Sequence, residues 1–248
     1  MAVANPAESN NALLNALPRR HRDRLLKSCE RFELVFGEVL CDVEKPYRHA
    51  YFPDSGLISL VSTLRDHNPL EMGIIGQEGM LGETLVLGIN ASPMRATVLG
   101  PGTAMRILVT KLQRELRDSP TLRRLLSRHL YLRLVELSQS GLCTRFHQIE
   151  ERLARWLLLT HDRAQSDHFH LTHEYLADML GVRRSGVTVA AGSLQARKLI
   201  KYTRGGITVL DRAGLEAASC DCYAAINGRQ SRLPGVSSRR SGPGQEPV

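Results

Sequence analysis

Residues Thr172–Ala196, THEYLADMLGVRRSGVTVAAGSLQA, decide how this chain is read. Leu176, Leu180, Val182, Val187, Ala190 and Leu194 recur at helical spacing on either side of Gly181, which fits two short helices meeting at a turn. Glycine takes the positive φ that so sharp a turn needs, and Ala177 is small enough to let the second helix pass close by. Thr172 stands where an N-cap belongs, with Glu174 beside the positive end of the first helix. An ordinary helical hairpin would share this spacing. The residues that follow separate the two: LIKYTRGGITVL, Leu199 to Leu210, alternates around Arg204-Gly205-Gly206 and reads as a β-hairpin. A helix-turn-helix with a two-stranded wing behind it is a winged helix, whose second helix, starting near Arg183, is the one shaped to enter a DNA major groove.

The charge distribution points the same way. The chain has 248 residues and a net charge of +8, yet residues 1–110 hold 11 Lys and Arg against 12 Asp and Glu. Attraction to a polyanion therefore belongs to the second half. No apolar run is long enough to span a bilayer, and the N-terminal MAVANPAESNNALLNALP has neither a basic leader nor an apolar core, so neither a membrane span nor a secretory signal is expected. Cys29, Cys41, Cys143, Cys220 and Cys222 are scattered and odd in number, which suits reduced thiols and a cytoplasmic setting.

Upstream, Asn11 to Cys29 is expected to be helical, with Leu13, Leu14, Leu17, Leu25 and Leu26 available for packing. From Phe32 to about Leu108, short runs of Val, Ile, Leu and Tyr are broken by turn signals such as Pro53-Asp54-Ser55-Gly56 and Gly76-Gln77-Glu78-Gly79. That texture predicts an antiparallel β-domain over residues 12–110. Ser119-Pro120 then opens a long helix within a linker over 111–145. Its stripe Leu122, Leu126, Leu130, Leu134, Leu137 and Gly141, widened by Leu125 and Leu132, exceeds what one neighbouring domain needs and predicts a homodimer; Arg123, Arg124, Arg128 and Arg133 are expected largely off that face. A helix over His147–His161 places Trp156 in the core of a winged-helix domain spanning 146–222. Residues 223–248, rich in Gly, Pro, Ser and Arg, read as a disordered basic tail.

This order of parts resembles the Crp/Fnr superfamily of bacterial transcription regulators, most specifically through LADMLGVRRSGVT with its wing and IGQEGMLGE in the β-domain. The resemblance implies an α+β protein: an N-terminal antiparallel jelly roll of the cyclic-nucleotide-binding type, a long central dimerisation helix and a C-terminal winged helix-turn-helix. It also implies a homodimer on double-stranded DNA, reading a two-fold symmetric operator, with activation through RNA polymerase in some members and repression in others.

By the same resemblance, Gly82, Glu83, Arg95, Ala96 and Thr97 stand where a cyclic nucleotide would be held, the Glu on the ribose and the Arg on the phosphate. The match is partial: Thr84-Leu85-Val86 puts bulk where the family has a small residue, and the Gly88–Met94 loop is lengthened. On the DNA side, Thr172, Arg183, Arg184, Ser185, Gly186, Thr188 and Arg204 are the candidate contacts. An arginine there suits guanine O6 and N7, and Arg204, Arg197 and Lys198 suit phosphates. In the best-known family pattern an Arg-Glu-Thr triplet and a later Arg read the operator; here Ser185, Gly186 and Val189 replace all but Arg184, which implies a different operator.

Two other classes stay open. A small-molecule sensor without DNA binding would keep the β-domain alone as its working part. A metal-dependent hydrolase would use His161-Asp162 and His168, His170 and His173, but these lie just before the helix-turn-helix with no catalytic spacing around them. No enzyme and no metal site are expected. Cys29 and Cys41 are too few for an iron–sulphur site, and Cys220-Asp221-Cys222 is too closely spaced for a usual zinc pair.

Overall fold

The computed structural model describes residues 8–63, 65, 68–203 and 205–232. The expected N-terminal helix is split at Pro18 into α1 (Ala12–Asn15) and α2 (Arg19–Leu26). Proline lacks the N–H that a continuous helix would use there. Asn11 anchors the entry: its Oδ1 accepts from the amides of Leu13 and Leu14, and its Nδ2 donates to the carbonyls of Pro53 and Gly79.

Two antiparallel sheets follow. β1 (Glu30–Leu34), β3 (His49–Pro53) and β7 (Gly102–Leu108) form one in the order β1-β7-β3, and β2 (Val39–Cys41), β4 (Leu57–Ser62), β5 (Leu70–Ile75) and β6 (Arg95–Gly100) form the other in the order β2-β6-β4-β5. The non-sequential order is that of a jelly roll. Phe52, Ile58, Leu60, Met80, Leu81, Leu85, Ala96, Val98 and Met105 fill one core, which the helices α1 and α2 close.

α3 (Val109–Asp118) leads to α4 (Pro120–Phe146), opened by Ser119, whose hydroxyl accepts from the Leu122 amide at 3.2 Å. The expected stripe divides between two faces. Leu122, Leu125, Leu126 and Leu132 pack on the β-domain, whereas Leu134 faces outward, together with Tyr131, Leu142 and Phe146, which are not part of the stripe. Arg133, expected off the packed face, is buried instead, because Glu83 of the β-domain and Glu136, one turn further along α4, meet it there.

α5 (Ile149–Ala164), with Glu151 accepting from the Gln148 amide at 3.0 Å, begins a second core. β8 (His168–Phe169), α6 (His173–Leu180), α7 (Arg184–Ala196) and the hairpin β9 (Ile200–Thr203) and β10 (Gly206–Val209) follow, then α8 (Arg212–Ala218) and α9 (Cys222–Arg232). Residues 223–232, read from sequence as the start of a disordered tail, are thus helical. Tyr223 and Ile226 supply the reason: both are buried in the winged-helix core, and the Tyr223 hydroxyl donates to Asp162 at 2.8 Å and accepts from Arg212 at 2.7 Å. Residues 233–248 lie outside the described residues.

The second core also takes in Leu57, Ile74 and Leu99 from the four-stranded sheet. Arg163, in the last turn of α5, docks there. It donates to the Ile74 carbonyl at 2.7 Å and to Glu136 at 2.8 Å and pairs with Glu78 at 3.1 Å. Gly76 makes that approach possible, since a Cβ on it would stand 2.7 Å from the Arg163 carbonyl oxygen. No helix among the described residues is long and apolar enough to cross a membrane.

Candidate nucleic-acid interface

The helix-turn-helix forms as its residues require. The Thr172 hydroxyl accepts from the Tyr175 amide at 3.1 Å and caps α6, and Gly181 ends it with φ +63°. The backbone carbonyl of Leu180 is met by a guanidinium N–H of Arg152 from α5, so the helix end is satisfied inside the core. α7 then lies with Val187, Ala190, Ala191 and Leu194 inward.

Its outer face carries Arg184, Ser185, Thr188 and Val189, with Arg183 at the N-cap, and all five are exposed. Arg184 approaches Glu174 at 3.7 Å, an exposed contact of the kind that contributes little and leaves the guanidinium free to reach a base. Thr188 is less free: its hydroxyl donates to the Arg184 carbonyl at 3.1 Å and lies 3.0 Å from Nδ1 of His173. Gly186 faces Ile149 of α5 and is a packing position, with no side chain to offer a base. Thr172 is occupied as the cap. Arg204 lies outside the described residues, while Gly205 turns the wing at φ +87°.

His173, the last of the histidine run and the first residue of α6, joins the two halves of this surface. Its ring stacks on Tyr202 of the wing with centroids 4.0 Å apart. Burial, and then the Arg184 guanidinium, lower its pKa below the ordinary histidine value, which favours the uncharged ring beside α7. Val189, 74% exposed, presents a branched apolar group where the thymine methyl is the complementary feature. Arg197 pairs with Glu150 at 3.1 Å, and Lys198 and Lys201 are exposed.

The two charged candidate ligand residues of the β-domain are each engaged by another side chain. Glu83, buried, pairs with Arg133 of α4 at 3.6 Å, whereas Arg95, exposed, pairs with Asp42 at 3.5 Å. Ala96 is buried between the sheets, Thr97 is half-buried on β6, and Gly82 precedes a short 3₁₀ turn, Glu83–Leu87, with φ +102°. The bulky residue noted in sequence, Leu85, is part of the β-domain core. Of the histidines upstream of α6, His161 faces Asp167 at 2.6 Å, whereas His168 faces Thr208 at 3.0 Å and meets the His170 ring edge-on with centroids 5.0 Å apart; Asp162 is taken by Arg212 at 2.7 Å.

A buried charge network lies where the β-domain meets α4 and α5. Glu136 of α4 accepts from Arg133 at 2.6 Å and from Arg163 at 2.8 Å, and these arginines reach Glu83 and Glu78 in turn. Burial alone would raise the Glu136 pKa, but Arg163 and Arg133 hold it down to about 2. Glu78 and Glu83, both in the IGQEGMLGE segment, thereby serve to tie the sheet to α4 and α5.

Residues 151–218 match the Crp-like helix-turn-helix domain. No curated protein sequence matches the chain. Among solved structures it resembles FixK2 from Bradyrhizobium japonicum, at 16% identity and a TM-score of 0.66 over 77% of this chain and 98% of that one. It also resembles the global regulator CLP from Xanthomonas campestris, at 18% identity and 0.62 over 77% and 99%. A CRP/FNR-family transcriptional regulator from Thermus thermophilus, at 22% identity and 0.61 over 77% and 98%, shares the fold as well. Residues 151–218 are thus a Crp-like helix-turn-helix domain, and the chain around them shares the fold of these solved structures.

Proposed function

We propose that the chain acts as a homodimer that reads a two-fold symmetric operator through α7 and does so without a cyclic nucleotide. The observation that carries the DNA reading is the outer face of α7, where Arg184, Ser185 and Val189 are exposed while every inward position is apolar. Two such helices must meet successive turns of one DNA face, and the outward apolar residues Tyr131, Leu134, Leu142 and Phe146 on α4 suit pairing with a second copy. The nucleotide-independent reading rests on Glu83 and Arg95 being engaged by other partners, Arg133 and Asp42.

The test is binding to a pool of genomic fragments at controlled salt, with and without cyclic AMP and cyclic GMP. Selective binding to a symmetric site, unchanged by nucleotide, is expected. Binding that needs a nucleotide would restore Glu83 and Arg95 as ligand residues, and absence of selective binding would favour a sensor without a DNA target. Leu134→Asp should leave a monomer by light scattering and abolish the two-fold footprint. In vitro transcription on the selected site then reads whether the bound dimer activates through RNA polymerase or represses.

A further inference from the structure

Three thiols and an imidazole, distant in sequence, meet behind the winged helix. Cys143 lies at the C-terminal end of α4 with His147 one turn beyond, while Cys220 and Cys222 flank Asp221 between α8 and α9. One ligand atom from each lies within 4.8 Å of all the others. Cys143 Sγ is 3.5 Å from Cys220 Sγ, and Cys222 Sγ is 3.4 Å from His147 Nδ1. A tetrahedral zinc with Zn–S of about 2.3 Å and Zn–N of about 2.0–2.1 Å has ligand edges of about 3.8 Å between sulphurs and about 3.5 Å between sulphur and nitrogen. The three cysteines are buried and unpaired by disulfides. We propose that Cys143, His147, Cys220 and Cys222 form a tetrahedral zinc site that fastens the α8–α9 turn to the end of α4.

Cys220 and Cys222 alone are too close in sequence for the usual zinc pair, and the fold supplies the two ligands that the spacing lacks. The surroundings suit an anionic centre. Zinc with three thiolates and a neutral imidazole carries one negative charge, and the buried guanidinium of Arg155 acts electrostatically on both Cys143 and Cys220 while its Nε has no hydrogen-bond partner. Arg152, also buried, acts on the same two thiols. The Gln139 amide donates to Cys222 Sγ at 3.1 Å, the kind of outer contact that orients a metal-bound thiolate. On binding, the three thiols release their protons to solvent and the imidazole uses its lone pair. Four ligand atoms so close together suit one ion, whereas an iron–sulphur cluster spreads its ligands over several irons.

The site would hold the rear of the DNA-reading unit against the helix that carries the outward apolar face. Full-length protein purified under reducing conditions, without chelator or metal-affinity resin, should contain about one zinc per chain by elemental analysis. After chelation, Co(II) added to the reduced protein should give the intense visible bands of tetrahedral cobalt with thiolate charge transfer. His147→Ala and Cys222→Ser should lose the zinc, whereas His147→Cys, which preserves a four-ligand set, and Cys41→Ser, which lies elsewhere, should retain it. The His147 pair keeps the test decisive if Cys222→Ser fails to fold. Protein with neither zinc nor a tetrahedral cobalt spectrum would overturn the proposal. So would full zinc in His147→Ala and Cys222→Ser, iron with acid-labile sulphide, or a Cys143–Cys220 disulfide found in the native protein by peptide mapping.

Discussion

Arg163→Met tests the network that joins the β-domain to the winged helix. The substitution keeps much of the side-chain volume but removes a buried guanidinium that contacts Ile74, Glu136 and Glu78 at 2.7, 2.8 and 3.1 Å. Glu136 and Glu83 would then share only Arg133, and Glu78 would lose its ion pair and keep the Gly76 amide at 3.2 Å. Breaking a buried ion pair from one side costs about 3–5 kcal/mol, because the remaining charge stays desolvated. The Glu136 carboxyl gives an independent scale: its descent from 4.5 to about 2 against the pull of burial corresponds to about 3 kcal/mol favouring its ionised form, with Arg163 the larger attraction. A loss of about 3–4 kcal/mol is therefore expected in urea unfolding, followed by far-UV circular dichroism and by the fluorescence of Trp156, the sole tryptophan. A depressed carboxylate pKa contributes stability above the unfolded value near 4.5 that is lost as pH falls toward 2, so the gap between variant and native protein should shrink across that window. Arg95→Met, which removes an exposed pair with Asp42, should cost less than about 1 kcal/mol. A loss below about 1 kcal/mol for Arg163→Met, or one that is constant from pH 7 down to pH 3, would refute this account of the network.

Other expectations follow from single contacts. Arg184→Ala should weaken binding to the selected operator by about 1–3 kcal/mol and relax one base position, and equal losses on random DNA would make Arg184 a phosphate contact instead. Glu71, which accepts from Trp156 Nε1 at 2.5 Å and from Ser59 at 2.7 Å, has its pKa raised by burial to about 7. Stability should fall as pH rises from about 4.5 to about 7, where only the unfolded chain ionises, and the emission of Trp156 should titrate near pH 7; Glu71→Gln should remove both effects, and a titration that survives it would exclude Glu71 as the source. His129, buried and held down to about 3 by desolvation and then by Arg133, works in the opposite sense: as pH falls from 6.5 toward 3 the unfolded chain takes up a proton that the fold refuses, so His129→Gln should flatten acid unfolding in that range. Gly76→Ala should cost about 1–3 kcal/mol, because its Cβ meets the Arg163 backbone, and an unchanged unfolding midpoint would contradict that packing.

What the sequence determined by itself was local or periodic. Thr172, Gly181 and the apolar slots of Thr172–Ala196 specify two helices and a turn within 25 consecutive residues, and the alternation on either side of Gly205 specifies the wing, because caps, turns and faces depend on neighbours a few positions away. Ser119-Pro120 marked the start of α4 for the same reason. The partnership of a charged or reactive side chain depends on segments brought together only by packing. Arg133 and Arg163 look like surface charge on helices and are buried because Glu78, Glu83 and Glu136 converge on them. Glu83 and Arg95 fit a ligand motif in sequence, yet one faces α4 and the other Asp42. Tyr223 and Ile226 draw a polar-looking stretch into a helix by burying themselves in the second core. Cys143 and Cys220 are 77 residues apart and come within 3.5 Å only when α9 folds back on α4, a distance that spacing along the chain could not show.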